Sequence, residues 1–380
     1  MIYFDNAATT FPKPQAVANA LWDAVAHYGG NPSRSGHQIA MRTSEKVFAV
    51  RNRAAQFFGA DVENVVFTMN CTHALNMAIK GIMADGGHII LSCLEHNSVF
   101  RPVYALSKTG RVEYDIAAVY EDPEATLASF QRLVRPNTRV IVCTHVSNVT
   151  GQILPVAEIG TFCRQHNILF ILDAAQSAGV LPVDIEKQNI DLLCTAGHKG
   201  LYGPTGTGLL VLGKRVGLLH TIMEGGSGST SIEPEAPDFY PDRLESGTIN
   251  SSGIIALGAG IQFVQKRTLG QIYRHEMQIY QQVYEGLRRI PKVTIYSGEP
   301  VFGRQAPVLS FNLEGHHSMD VCSFLNQEGF ALRSGLHCSP LAHHFLHTEE
   351  IGAVRFSPGI YNTTAQAEAF IRSVYRFSKI

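Results

Sequence analysis

No sign of charge dominates this chain. Its 31 Lys and Arg residues face 32 Asp and Glu, a formal net charge of −1, so no overall basic field exists to hold a nucleic acid or an anionic membrane. No run of about 18 apolar residues occurs, and the start Met1-Ile2-Tyr3-Phe4-Asp5 lacks the charged region and apolar core of a secretory leader. A cytoplasmic protein is expected, without membrane or nucleic-acid partners and with a small molecule as its default ligand. Cysteine is present but unpatterned. The seven residues at 71, 93, 143, 163, 194, 322 and 338 form no C-x-x-C pair, which argues against a disulfide scaffold. Among 16 histidines there is no H-E-x-x-H, so no metal is expected. His343, His344 and His347 read as surface or capping residues. Neither an internal repeat nor a low-complexity tract is visible.

What is there is ordinary globular material: 380 residues, 45% hydrophobic, with 34 Gly and 17 Pro, about two and a half times the rough 150-residue domain. Apolar, β-branched runs at 64–69, 88–92, 139–145, 168–172, 192–195 and 208–212 read as strands, with helical spacing at 72–83 and 156–165 between them. That alternation predicts an α/β fold whose mostly parallel sheet is covered by helices on both faces. The segment 225–241, rich in Gly, Ser, Pro and acidic residues, reads as a long functional loop. Helices are expected at 254–266 and 272–289, then a smaller α+β domain. The expected division is a large domain over 16–265 and a small one from 1–15 with 266–380.

Ligands of such sheets gather at the carboxyl ends of the strands. There the sequence places Asn70-Cys71-Thr72, Glu95-His96-Asn97, Ser147-Asn148, Asp173-Ala174-Ala175-Gln176 and Gly197-His198-Lys199. A desolvated lysine loses basicity and becomes able to form an imine with a carbonyl cofactor, although a lone loop lysine is ordinarily solvated and inert. Asp173, at the end of a strongly apolar strand, needs a cation or donors. A protonated pyridine nitrogen would supply the cation, and capping a helix over 174–180 is the plainer alternative. Asn70-Cys71-Thr72 combines a strand end with a helix start, which suits a phosphate or a simple cap. The stretch 208–215 approaches P-loop spacing, but its interior Leu-Leu-Val-Leu and its Arg215 read as strand and turn.

In order, Asp5-Asn6-Ala7-Ala8-Thr9-Thr10, Glu95-His96-Asn97, His145-Val146-Ser147-Asn148, Asp173-Ala174-Ala175-Gln176, Gly197-His198-Lys199 and Arg333-Ser334-Gly335-Leu336-His337-Cys338 resemble cysteine desulfurases of the class V aminotransferase family. The resemblance runs from residue 3 to about 363, and the form around Cys338 is similar to the group II, Suf-type and selenocysteine-lyase branch. It implies the pyridoxal-phosphate fold type I, with a seven-stranded-type sheet. By the same resemblance, pyridoxal 5'-phosphate is held through Lys199, with Asp173 on its ring nitrogen, Gln176 on its hydroxyl and His96 stacked on the ring and moving protons. The Cys71 backbone, Thr72 and His198 would hold the phosphate, joined by Thr248 from the other subunit of a homodimer. Asn148 and Arg355 would grip the carboxylate of L-cysteine or L-selenocysteine, with Arg333 and His337 beside it. Cys338 would be the nucleophile that carries sulfur as a persulfide to an acceptor protein. A thiolate is the attacking species, and cations such as Arg333 or a protonated His337 would favour it.

Four places depart from the usual pattern: Ala196 where a phosphate-binding Ser is common, Leu336 for one of two histidines before the cysteine, His73 for an acidic residue, and Met69-Asn70 for the usual Arg-Gly or similar pair. They bear on cofactor affinity, substrate preference or the acceptor. Selenocysteine lyase is the neighbouring reading. A plain aminotransferase would leave Cys338 idle, and a non-catalytic sulfur-relay scaffold would be expected to have lost Lys199, Asp173 or Arg355.

Overall fold

The computed structural model describes residues 1–32 and 36–379. A short strand β1 (Ile2–Tyr3) is followed by helices α1 (Gln15–His27) and α2 (Gln38–Phe58). The main sheet follows as β2 (Val65–Thr68), β3 (Gly87–Ser92), β4 (Val112–Ala117), β5 (Thr138–Thr144), β6 (Leu169–Asp173), β7 (Leu192–Ala196) and β8 (Gly208–Leu212). Between its strands lie α3 (Cys71–Met83), α4 (Asn97–Ser107), α5 (Pro123–Arg132) and α6 (Val156–Gln165). In space the seven strands run β2-β8-β7-β6-β5-β3-β4, with β8 antiparallel to both neighbours and the other pairs parallel. This is the expected α/β arrangement, a mostly parallel seven-stranded sheet with helices on its faces.

Both faces of this sheet are covered, which is why its strands read as continuous apolar runs. Ile90, Ile141, Cys143, Phe170, Leu172, Leu193 and Val211 point into one core, while Ile89, Leu91, Val140, Val142, Ile171, Cys194 and Leu210 point into the other. The pleat sends successive side chains to opposite layers. The strand β4 was not anticipated. As the sheet's edge it carries half-buried and exposed Glu113, Tyr114, Asp115 and Ile116 between buried Val112 and Ala117, so its apolar signal is diluted.

No helix or strand forms over 225–241, as expected of a loop. After it come α7 (Ser251–Arg267) and α8 (Leu269–Leu287). A four-stranded antiparallel sheet is built from β9 (Val293–Ile295), β10 (Leu309–Leu313), β12 (Arg333–Gly335) and β13 (Ala353–Phe356), while β11 (Phe330–Ala331) pairs with β1. Helices α9 (Ser318–Gln327), α10 (Pro340–Phe345) and α11 (Thr364–Phe377) complete the chain. A separate apolar core lies here, with Phe4 packed on Phe330, Phe356 and Phe370 and with Phe311 and Tyr280 of α8 in the same core. The amino terminus is thereby stitched to the carboxy-terminal part. Among the described residues no helix is long and apolar enough to cross a membrane.

Candidate active site

The strands β3, β5, β6 and β7 run parallel, and β2 shares their direction because two antiparallel pairings through β8 restore it. Their carboxyl ends therefore meet on one side. The residues that follow them line a cavity of about 200 Å³, closed from the other side by the smaller sheet: Cys71, Thr72, His96, Asn148, Asp173, Gln176, His198 and Lys199 meet Arg333, His337 and Arg355.

Two charged residues occupy its floor. Lys199 has its ammonium destabilised by burial, the larger effect, and partly restored by the Asp173 charge. Burial also raises the Asp173 carboxyl above the ordinary carboxylate range, opposed by the Ala175 N–H and the Lys199 charge. Asp173 Oδ1 accepts from Ala175 N at 2.9 Å and from Cys71 Sγ at 3.4 Å. Cys71 can donate because burial pushes its thiol well above the usual value. Among the described residues Oδ2 has no protein donor. The alternative cap reading does not hold: turns, not a helix, follow Asp173.

Asn70 caps α3, its Oδ1 accepting from His73 N at 2.8 Å. The first N–H groups of that helix, at Cys71 and Thr72, are left to face the cavity without protein acceptors among the described residues, where the helix dipole favours an anion. His198 Nδ1 is buried and unpartnered, and burial pushes its imidazole down to about 4. His96 caps α4 through Ser98 N at 3.0 Å, and burial together with the Lys199 charge lowers it to about 4. Both rings are therefore neutral near pH 7. The backbone of His198-Lys199 is clamped by the amino-terminal segment: Lys13 Nζ donates to the His198 carbonyl at 2.6 Å, and Thr10 Oγ1 to that of Lys199 at 3.1 Å. Gln176 Nε2 donates to the Ala7 carbonyl at 3.0 Å.

On the facing wall Arg333 and Arg355 are directly opposed across β12 and β13, so two guanidiniums share a face of the sheet. Arg355, 1% exposed, donates through Nη2 to Asp5 Oδ1 at 2.9 Å and through Nη1 to the Asn148 carbonyl at 3.0 Å. Its buried Nε has no partner. Arg333 Nη2 lies 3.5 Å from Cys338 Sγ. Cys338 is the exposed cysteine; Cys322 is half-buried and the other five are buried. The expected protonated His337 is not supported. That ring is buried with Nε2 3.0 Å from the Ala353 carbonyl, and burial with the nearby Arg355 charge pushes it down to about 2, which leaves Arg333 as the cation beside the thiol.

The sequence profile described as aminotransferase class-V matches residues 2–370. The chain belongs to this family. A probable cysteine desulfurase of Synechocystis is 31% identical over 98% of this chain and 90% of its own length. A cysteine desulfurase from Thermococcus onnurineus, solved in the apo form, superposes with a TM-score of 0.91 at 31% identity, covering 100% of this chain and 94% of that one. A cysteine desulfurase of Escherichia coli, in an S-sulfonic acid form, gives 0.88 at 26% identity over 98% and 94% of the two chains. Class-V aminotransferases are generally pyridoxal-phosphate enzymes.

Within this class-V chain, three of the departures fall in different places. Ala196 lines the cavity and brings no hydroxyl, Leu336 is exposed, and His73 is half-buried with Nδ1 accepting from Met69 N at 3.3 Å. Thr248 is not among the residues lining the cavity of its own chain; its Oγ1 accepts from Asn31 Nδ2 at 3.4 Å. His343 is fully buried rather than superficial, with Nδ1 2.8 Å from Thr348 Oγ1. No group of three or more His, Cys, Asp or Glu among the described residues is placed to hold a metal ion. Sequence reasoning missed Lys13, whose only mark is its place between two prolines just after the Asp5–Thr10 motif. It also gave no role to Asp5, or to Glu95, a buried acid whose Oε1 accepts from Thr144 N at 2.7 Å and from Ser92 Oγ.

Proposed function

We propose that this chain is a cysteine desulfurase that moves sulfur from L-cysteine to Cys338 and releases L-alanine. The observation that carries the reading is the joining of two chemistries through one wall. A cavity floored by Lys199 and Asp173 shares Arg333 with the thiol of the exposed Cys338.

The residues present fit pyridoxal 5'-phosphate. Asp173 is a buried carboxyl with one oxygen free for a ring N–H, the unpartnered His198 Nδ1 and the first N–H groups of α3 suit a phosphate, and Lys199 is a buried amine held toward its neutral form. Bound there, the cofactor supplies an electron-withdrawing ring that accepts charge when the substrate loses its α-proton. Lys199 would hold the carbonyl of that group and, once displaced, take the proton. His96 would lie against the ring and Gln176 near its hydroxyl; Cys71, Thr72 and His198 would hold the phosphate. Arg355 and Asn148 bind the substrate carboxylate, a task that suits a forked guanidinium. Cys338 thiolate attacks the substrate sulfur: the carbon–sulfur bond breaks, a sulfur–sulfur bond forms, and a proton replaces sulfur on the carbon that becomes the alanine methyl. Sulfur then leaves for an acceptor protein.

The reading includes a homodimer. Helices α1 and α2 leave Trp22, Ile39, Met41 and Phe48 exposed, apolar surface that a second subunit would cover. A groove of about 320 Å³ lined by Phe48, Glu245 and Gly247 adjoins the Thr248 segment proposed to reach the partner's phosphate. The division into 16–265 and 1–15 with 266–380 is part of the same proposal, supported by the separate core around Phe4 and Phe311.

The test is Cys338→Ala. It should still bind the cofactor, seen as a visible absorbance fixed by borohydride, and fail to form alanine from cysteine. Unimpaired turnover would sink the nucleophile role. Selenocysteine, whose selenide leaves without the same help, separates the neighbouring reading: strong wild-type preference for it over cysteine would assign the chain as a selenocysteine lyase.

A further inference from the structure

The side-chain amide of Asn148 is one of the ties that hold the loop of Cys338 to the cavity. Asn148 Nδ2 donates to the His337 carbonyl at 2.9 Å. A carbonyl can only accept, so this contact settles which end of the amide is nitrogen. Asn148 Oδ1 then receives the hydroxyl of Ser339 at 2.6 Å. Ser339 is fully buried. It stands at the N-cap of α10, a position where serine ordinarily bonds the helix backbone, yet its side chain makes no capping bond. Its hydroxyl is committed to Asn148 instead.

Between these two contacts lies a loop that needs holding. His337 and Cys338 are both in the left-handed backbone region, at φ +49° and +58°, a conformation that non-glycine residues occupy at a cost when the surroundings require it. The Asn97 N–H fixes the Cys338 carbonyl at 2.8 Å, and the Ser339 N–H reaches the Leu336 carbonyl at 2.8 Å. Asn148 itself lines the cavity, and its own carbonyl accepts from Arg355. With one Nδ2 hydrogen on His337, a single donor remains on that side chain to meet an anion.

We propose that Ser339 is a positioning residue: its hydroxyl holds the Asn148 amide with nitrogen toward the carboxylate site and, through the same amide, fixes the loop of Cys338. Without it the amide can turn its oxygen toward an incoming carboxylate, and the nucleophile loop loses one of its ties. The identity of the carboxylate as that of L-cysteine rests on the desulfurase reading; the tie between Ser339 and the loop does not.

Ser339→Ala in the cofactor-loaded protein tests this. The KM for L-cysteine should rise roughly tenfold, about 1.4 kcal/mol, with a smaller change in kcat, as expected for lost ground-state binding. Alkylation of Cys338 by iodoacetamide, followed on its peptide by mass spectrometry, should speed up severalfold, and cofactor absorbance should be unchanged. Adding Ser339→Ala to Asn148→Ala should leave the KM of the single Asn148 variant within about twofold, because the serine acts through that amide. Unchanged KM and alkylation in Ser339→Ala, or losses that simply multiply in the double variant, would overturn the proposal. If the wild type forms no alanine, the desulfurase reading fails by itself, and the alkylation rates still decide whether Ser339 holds the loop.

Discussion

Glu95 offers a quantitative check on the ground beneath the site. It lies just after β3, buried, with Oε1 on Thr144 N and Ser92 Oγ and with Oε2 unpartnered. Burial, reinforced by the Asp173 charge, raises its carboxyl from 4.5 to about 8. The folded protein therefore binds this proton more tightly than the unfolded chain. The stability from Glu95 is complete below about pH 4.5 and is lost as pH rises through the folded value near 8. At about 1.36 kcal/mol per pH unit, ionising the buried acid costs on the order of 5 kcal/mol, of which about 3 kcal/mol falls between roughly pH 5.5 and 8.5. Glu95→Gln keeps an acceptor for Thr144 and Ser92 but never ionises. Urea unfolding of both proteins at those two pH values isolates the effect, since the buried histidines titrate equally in each. The variant should gain about 3 kcal/mol on the wild type as the pH is raised. A difference that stays constant with pH would refute the argument that Glu95 is buried as a neutral acid.

Two further substitutions address the cavity. Asp173→Asn should keep the visible absorbance that reports cofactor on Lys199 yet lose alanine formation by roughly 100-fold or more, as for a preorganised charge removed from a reacting centre; near-normal rates would remove Asp173 from the ring nitrogen. Arg355→Lys keeps a charge but loses the fork, and the KM for L-cysteine should rise roughly tenfold to 100-fold from the lost charged hydrogen bonds, with cofactor binding intact. An unchanged KM would place the carboxylate elsewhere.

Legibility followed burial and distance along the chain. The strand β8 was read at its observed bounds because both of its faces are covered and its residues are apolar throughout. The edge strand β4 was not, since Glu113 and Asp115 sit on it to meet Arg135. Helix α2 was also missed. Its buried stripe of Val47, Val50, Ala54 and Phe58 is regular, but exposed Ile39, Met41 and Phe48 put apolar residues on the other side too and blur the period. The residues at strand ends could be proposed from sequence because the sheet delivers them to one place whatever the details. The tie from Asn148 to His337 and Ser339 could not, for it spans about 190 residues and depends on how the smaller sheet seats against the larger. The burial that keeps His337 neutral is likewise a product of that seating.

The most direct measurement is the mass of the Cys338 peptide after the cofactor-loaded protein has been mixed with L-cysteine and quenched. The account predicts a peptide heavier by one sulfur atom, formed in step with alanine and reversed by a thiol. An unmodified Cys338 peptide from protein that is forming alanine would contradict it.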